Sequence, residues 1–231
     1  PRTKWIVGII ILIILILILS ASWLSTFYTD YLWYSEVGYT SIFWKRIWTQ
    51  VWLFFVFAAL FFVLLYSNIW LARRLTPRYE RPKGDISPVE ESIAKFRESA
   101  GRWLGRGILI VTIIISFFVG WASAGQWENV LKYFTHASTG TVDPIFSKDI
   151  SFYLFEYPFL QYFAGWLLTA LIFVLILTAV VHFLDGAINF TSKEQRFAPH
   201  VKAHLSVLAA IILLVQAWRF RLDMFGLLYS P

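Results

Sequence analysis

The sequence predicts an all-α fold, a polytopic transmembrane helix bundle with interfacial amphipathic helices. Three observations carry this reading. Five apolar runs come near or exceed the roughly 20 residues a helix needs to cross a hydrocarbon core. Hydrophobic residues make up 58% of the chain, as in integral membrane proteins. The formal charge of +6 is clustered between the runs, so no nucleic-acid partner is expected. There is no Cys, which excludes disulfides, thiolate chemistry and Cys-based zinc sites.

Arg2 and Lys4 precede the first span, read over 5–24. Ser20 and Ser22 could serve a signal-peptide cleavage. The apolar run continues through Trp23 and Leu24, however, so an uncleaved span is expected. Trp23, Phe27, Tyr31 and Tyr34 keep helical spacing, which carries the helix beyond the bilayer. Asp30 and Glu36 read as a solvated face beside an aromatic belt rather than a cation site. The second span is read over 47–70, long enough to tilt or protrude.

The segment from Arg73 to Arg106 holds nine Lys/Arg and five Asp/Glu. Within it, Ser87-Pro88-Val89-Glu90 is a capping box with proline at the first helical position. Val89, Ile93, Phe96, Ala100 and Trp103 follow at helical spacing, so 87–103 reads as an amphipathic helix lying on the membrane surface. Gly101, Gly105 and Gly107 suggest a turn into the third span, 108–124.

From 127 to 157 the chain reads as a membrane-surface segment. Trp127, Val130, Leu131 and Phe134 have helical spacing, and His136 to Thr141 is a polar loop. Eight aromatics then fall in the eighteen residues from Phe146 to Phe163. The candidate interface residues are Asp143, Pro144, Phe146, Asp149, Phe152, Tyr153, Phe155, Glu156 and Pro158. Asp143-Pro144 reads as a turn, and Asp149 as a helix cap that Asn should replace mildly. Ile150, Phe152, Leu154 and Phe155 are expected in an apolar layer, with Tyr153, Tyr157 and Glu156 in a wet one. Pro158 is expected at the first turn of the fourth span, read over 159–184. The fifth span is read over 201–218, with Arg219 and Arg221 snorkelling at its end.

The run Asp143-Pro144-Ile145-Phe146-x-Lys148-Asp149-Ile150-Ser151-Phe152-Tyr153-Leu154-Phe155-Glu156-x-Pro158-Phe159-Leu160 resembles the hallmark of uncharacterised protein family 0182, multi-pass bacterial and cyanobacterial membrane proteins. Tyr28-Thr29-Asp30-x-Leu32-Trp33-x-x-Glu36-Val37-Gly38-Tyr39 agrees, as does His204-Leu205-Ser206-Val207-Leu208 leading to Leu227-Leu228-Tyr229-Ser230. The resemblance implies a bacterial inner-membrane location and no assigned activity. It also implies seven spans followed by a large extracytoplasmic part. Five spans depart from that pattern, and the expectation is a fragment.

Positive charge sets orientation. Fourteen Lys/Arg flank the spans on the side of the N-terminus and six on the other, so a cytoplasmic N-terminus is expected. The middles of the spans contain no Asp, Glu, Lys, Arg or His, which argues against an ion-coupled carrier built from these helices. His182 and Asp185 share a helical face, and so do His200 and His204. They are read as residues at span ends, not metal ligands. No catalytic or cofactor motif is recognised, so no enzyme, cofactor or metal is expected. The reading is a membrane anchor or scaffold, homo-oligomeric, presenting an extracytoplasmic domain; its partners are the lipid bilayer and further copies. The alternative is a channel or transporter with a pathway between subunits or through further spans.

Overall fold

The computed structural model describes residues 2–75, 88–188 and 198–229. The described residues are helical, apart from short connections and one isolated β-bridge. Helices α1 (Arg2–Glu36), α2 (Thr40–Leu75), α3 (Pro88–Ala124), α4 (Trp127–Thr135), α5 (Tyr157–Leu184) and α6 (Pro199–Gly226) follow in order. Among the described residues, five helices are long and apolar enough to cross a membrane. The chain divides into two compact units, Pro1–Val51 and Trp52–Pro231.

In the first unit, α1 ends at Gly38, whose φ of 77° is open to glycine. The Gly38 N–H bonds to Ser35 O and the Tyr39 N–H to Tyr34 O, which closes the helix with a Schellman motif. The chain then turns directly into α2. Phe43 is buried against the rings of Phe27, Tyr31 and Tyr34. Asp30, expected on a solvated face, accepts from Arg46 at 3.4 Å and is only partly exposed.

The core of the second unit starts from one stripe on α2. Leu53, Phe57, Phe61, Leu65, Ile69 and Ala72 recur every three or four residues and are all buried. The stripe packs with Ala170, Val174 and Val181 of α5, Leu208 of α6, and Ile108, Ile115 and Val119 of α3. Val130 of α4 joins Leu53 and Phe57. The opposite surfaces are apolar too: Phe118, Trp121, Ile176, Leu213 and Leu214 are exposed. This is the pattern of a bundle solvated by lipid, where tight packing rather than release of water drives helix association.

Helix α3 corrects one expectation. It runs unbroken from Pro88 to Ala124, so the turn expected at Gly101, Gly105 and Gly107 is absent. A helix already carrying its backbone hydrogen bonds tolerates each glycine at a cost of about 1 kcal/mol. Gly105 instead leaves room for Arg73, whose Nη1 would lie 3.0 Å from an added Cβ. Ser87 and the charged stretch before it lie outside the described residues.

A close approach of two helices lies at Gly120, which the spacing does not single out. A Cβ there would lie 2.5 Å from Phe54 O and 2.8 Å from Ala58 Cβ. Gly120 thus lets α3 touch the backbone of α2. Gly120→Leu should lower the stability of the bundle by about 1–3 kcal/mol, or more if the helices separate. A thermal-unfolding midpoint equal to that of the wild type would contradict this contact.

Candidate functional site

The segment between α4 and α5 is organised by two carboxylates. Asp149 Oδ1 accepts from Thr139 N (3.2 Å), Thr139 Oγ1 (2.8 Å) and Ser151 N (2.7 Å). Its Oδ2 accepts from Gly140 N (3.0 Å) and from the Ser138 hydroxyl. Asp143 accepts from the N–H groups of Ile145 and Phe146 and from Tyr153 Oη at 3.1 Å. Between them the backbone pairs Asp143 N with Lys148 O and Ile150 N with Thr141 O, forming the bridge of Val142 with Asp149. Gly140 and Ser147 make the reversals with φ of 71° and 54°. The result is a compact collar whose backbone donors are tied to its own acids.

These bonds favour the charged carboxylates. Hydrogen bonds from the Ser138 side chain, from Ser151 and from Thr139 hold Asp149 far below the usual carboxylate range. For Asp143, burial pushes the carboxyl up, but the bonds from Phe146, Ile145 and Tyr153 together outweigh it and leave it lowered. Neither acid is poised to exchange a proton near neutral pH, so neither is suited to act as a general acid or base.

Tyr153, expected in the wet layer, is buried together with Phe152, while Ile150 and Leu154 are exposed apolar side chains. The reason is Phe225 near the end of α6, which meets Phe146, Phe152 and Tyr153 at centroid distances of 5.3, 5.1 and 6.4 Å. Tyr153 can be buried because its hydroxyl has Asp143 as partner. Phe155 stacks on His136 at 5.7 Å, and Glu156 Oε1 lies 3.2 Å from His136 Nε2, which ties the collar to the end of α4. Gln161 Nε2 reaches both Tyr157 Oη and Asp223 Oδ1 on α6. Pro144 is exposed at the turn.

Pro158 lies in the first turn of α5, as expected, but helical structure already begins at Ile150 and passes through a π-helical turn, Phe152–Glu156, into α5. The Tyr157 N–H reaches Phe152 O, one residue further than in an α-helix. A regular turn here would drive the Pro158 ring into the Leu154 carbonyl, and the wider turn relieves that clash.

At the opposite end of α5 and α6 a second polar group lies buried. Asn68 Nδ2 donates to Leu64 O at 2.7 Å, so its Oδ1 faces His204 Nε2 at 3.2 Å as acceptor. His204 Nε2 therefore carries the proton, and His204 Nδ1 accepts from His182 Nε2 at 3.1 Å. One chain of hydrogen bonds thus joins α5, α6 and α2. The His182 ring is fully buried and the His200 ring lies 6.0 Å from it. The Asp185 N–H caps α5 at Val181 O. Both His204 nitrogens are occupied, and no three His, Asp or Glu side chains converge as metal ligands among the described residues. Sequence spacing paired His182 with Asp185 and His200 with His204. It did not find the His182–His204–Asn68 chain, because that depends on contacts between helices.

Fold and sites together define an all-α bundle with membrane-spanning helices, whose polar side chains at the bundle ends are used mainly to fasten helices. The family model of the uncharacterised protein family UPF0182 matches residues 7–231, and the chain belongs to that family. UPF0182 proteins of Frankia casuarinae, Streptomyces coelicolor and Trichlorobacter lovleyi are 33%, 32% and 33% identical over 99%, 93% and 96% of this chain. The chain spans only 22%, 21% and 24% of those relatives. No solved structure matches it.

The collar generates a prediction that reverses the expectation for Asp149. Both of its oxygens accept from backbone N–H groups, so the amide of Asn would face at least one donor with another donor. Asp149→Asn should therefore lower the unfolding midpoint clearly at pH 7. Because the folded carboxyl is lowered, its contribution is complete above the unfolded value of about 3.9 and fades only as pH falls below it. The gap between wild type and variant should stay constant from neutral pH down to about 4 and narrow below. A variant matching the wild type at pH 7 would refute this role for Asp149.

Proposed function

We propose that this region is a membrane anchor and scaffold whose helices hold and orient an extracytoplasmic part of a bacterial inner-membrane protein, and that copies assemble into a homo-oligomer. The observation that carries the reading is the use of the collar acids: Asp143 and Asp149 are saturated by hydrogen bonds within the collar. The collar grips the end of α6 through Phe225 and the end of α4 through His136. Such a device fixes the ends of helices where a further domain could be attached.

The excess of Lys/Arg on the side of the N-terminus supports a cytoplasmic N-terminus and an extracytoplasmic collar. The surface segment expected over 87–103 then belongs to the cytoplasmic side, and from Pro88 on it is the first part of α3. A second reading, a channel or transporter, draws on the buried chain of His182, His204 and Asn68. Those groups bond to one another at one end of the bundle, which favours fastening over conduction. Ion flux through reconstituted protein, abolished by His204→Ala, would favour the second reading instead.

The scaffold reading is tested on the full-length protein with Phe225→Ala. Removing this ring from a packed cluster should destabilise by about 3–5 kcal/mol. It should also shift the assembled species toward monomer in light scattering after size exclusion. Single Cys residues at Ala137 and Ser92, in protein with any Cys outside residues 1–231 replaced by Ser, give the orientation. Labelling from outside intact cells should mark Ala137→Cys and spare Ser92→Cys. An unchanged assembly would remove the scaffold reading, and the opposite labelling would invert the topology.

A further inference from the structure

The second unit contains a cleft of about 570 Å³, lined by α2, α3, α5 and α6. Its polarity is graded along α5. Gln161 lies nearest the collar, Trp166 comes next, and Ala170 and Phe173 lie deepest. Gln161 to Phe173 is twelve residues, a helical rise of about 18 Å. That slightly exceeds the depth of one leaflet's hydrocarbon, about 15 Å.

Two donors on this cleft are buried and make no hydrogen bond: Arg219 Nε and Trp166 Nε1. Arg219 pairs with no acid among the described residues. Asp223, one turn further along α6, instead accepts from Gln161 at 2.7 Å. A guanidinium is always charged, and in a membrane-spanning helix it requires a counter-charge. The Trp166 ring is fixed edge-on to Phe57 at 4.8 Å, so its N–H cannot turn away without breaking that packing. The cleft also has open space at Gly165, where an added Cβ would meet nothing within 4 Å.

We propose that this cleft binds one anionic phospholipid from the leaflet at the collar end, its phosphate on Arg219 and the Trp166 N–H, and an acyl chain along Ala170 and Phe173. The phosphate supplies both the missing charge and the missing acceptors, and Arg matches it with several donors in one plane. The apolar depth of the cleft distinguishes a lipid from a free phosphate. The order of groups along α5 matches the order of headgroup and tail. This site is separate from the collar and does not depend on the scaffold reading.

The test uses the full-length protein in vesicles of equal phosphatidylglycerol and phosphatidylcholine, followed by native mass spectrometry of the lipid retained on gentle extraction. The wild type should retain one phosphatidylglycerol per chain in preference to phosphatidylcholine. Arg219→Gln should reduce that retention about tenfold, and Trp166→Phe should reduce it less, keeping the ring but losing the N–H. Arg219→Lys should keep part of it because the charge remains. Gly165→Phe places a ring in the open space beside Gly165 and should displace the lipid while the unfolding midpoint in lipid-free detergent stays that of the wild type. Three results would overturn the proposal. These are equal retention of both lipids, retention unchanged in Arg219→Gln and Gly165→Phe, or a wild type that retains neither because another segment of the protein or a second copy occupies the cleft.

Discussion

The Asp149 carboxylate is the interaction on which the organisation of the collar end depends. It gathers the N–H groups of Thr139, Gly140 and Ser151, and the hydroxyls of Ser138 and Thr139, around one charge. A polar loop of this kind has few apolar contacts of its own, so without that charge its backbone donors would turn to water. With it, the loop has one shape. That shape sets where Phe152 and Tyr153 enter the Phe225 cluster. The direction in which α5 leaves the collar follows from the same point through the π-helical turn.

Below the collar a different constraint applies. Lipid surrounds the bundle, so moving an apolar side chain from lipid into the core gains little by itself. Close fit matters more. The α2 stripe supplies the regular surface, and Gly120 brings α3 onto it. At the other end, the chain from His182 through His204 to Asn68 satisfies His182 Nε2, both His204 nitrogens and the Asn68 amide, which lipid could not. It does so through hydrogen bonds between side chains rather than through an ion pair.

Much of this fold is legible in the sequence, because span length and helical periodicity are local properties. The helix of Trp127, Val130, Leu131 and Phe134 and the continuation of α1 past Trp23 both follow from spacing alone. Gly38 closes α1 as a glycine in a helix-ending turn would. What the sequence hides depends on neighbours distant in the chain. Pro158 reads correctly as a first-turn residue of α5, but the π-helical turn that leads into it from Ile150 has no signal in the spacing. Gly120 looks no different from Gly101 until Phe54 is beside it. Asp149 reads as a simple cap when only Ser151 is considered. The loop at Ser138–Gly140, about ten residues earlier, takes the second oxygen and makes the charge essential.

The most direct measurement of this account is hydrogen–deuterium exchange of the unmodified protein in a lipid bilayer, resolved to the amides of Thr139, Gly140, Phe146 and Ser151. These residues lie in a segment reached by water, and their amides are bonded to Asp149 or Asp143. The account predicts that they exchange slowly, together, and at a rate comparable with the first turns of α5. Exchange at the rate of an unstructured exposed loop would mean that the two carboxylates do not hold the collar, and the structural role assigned to it would fail.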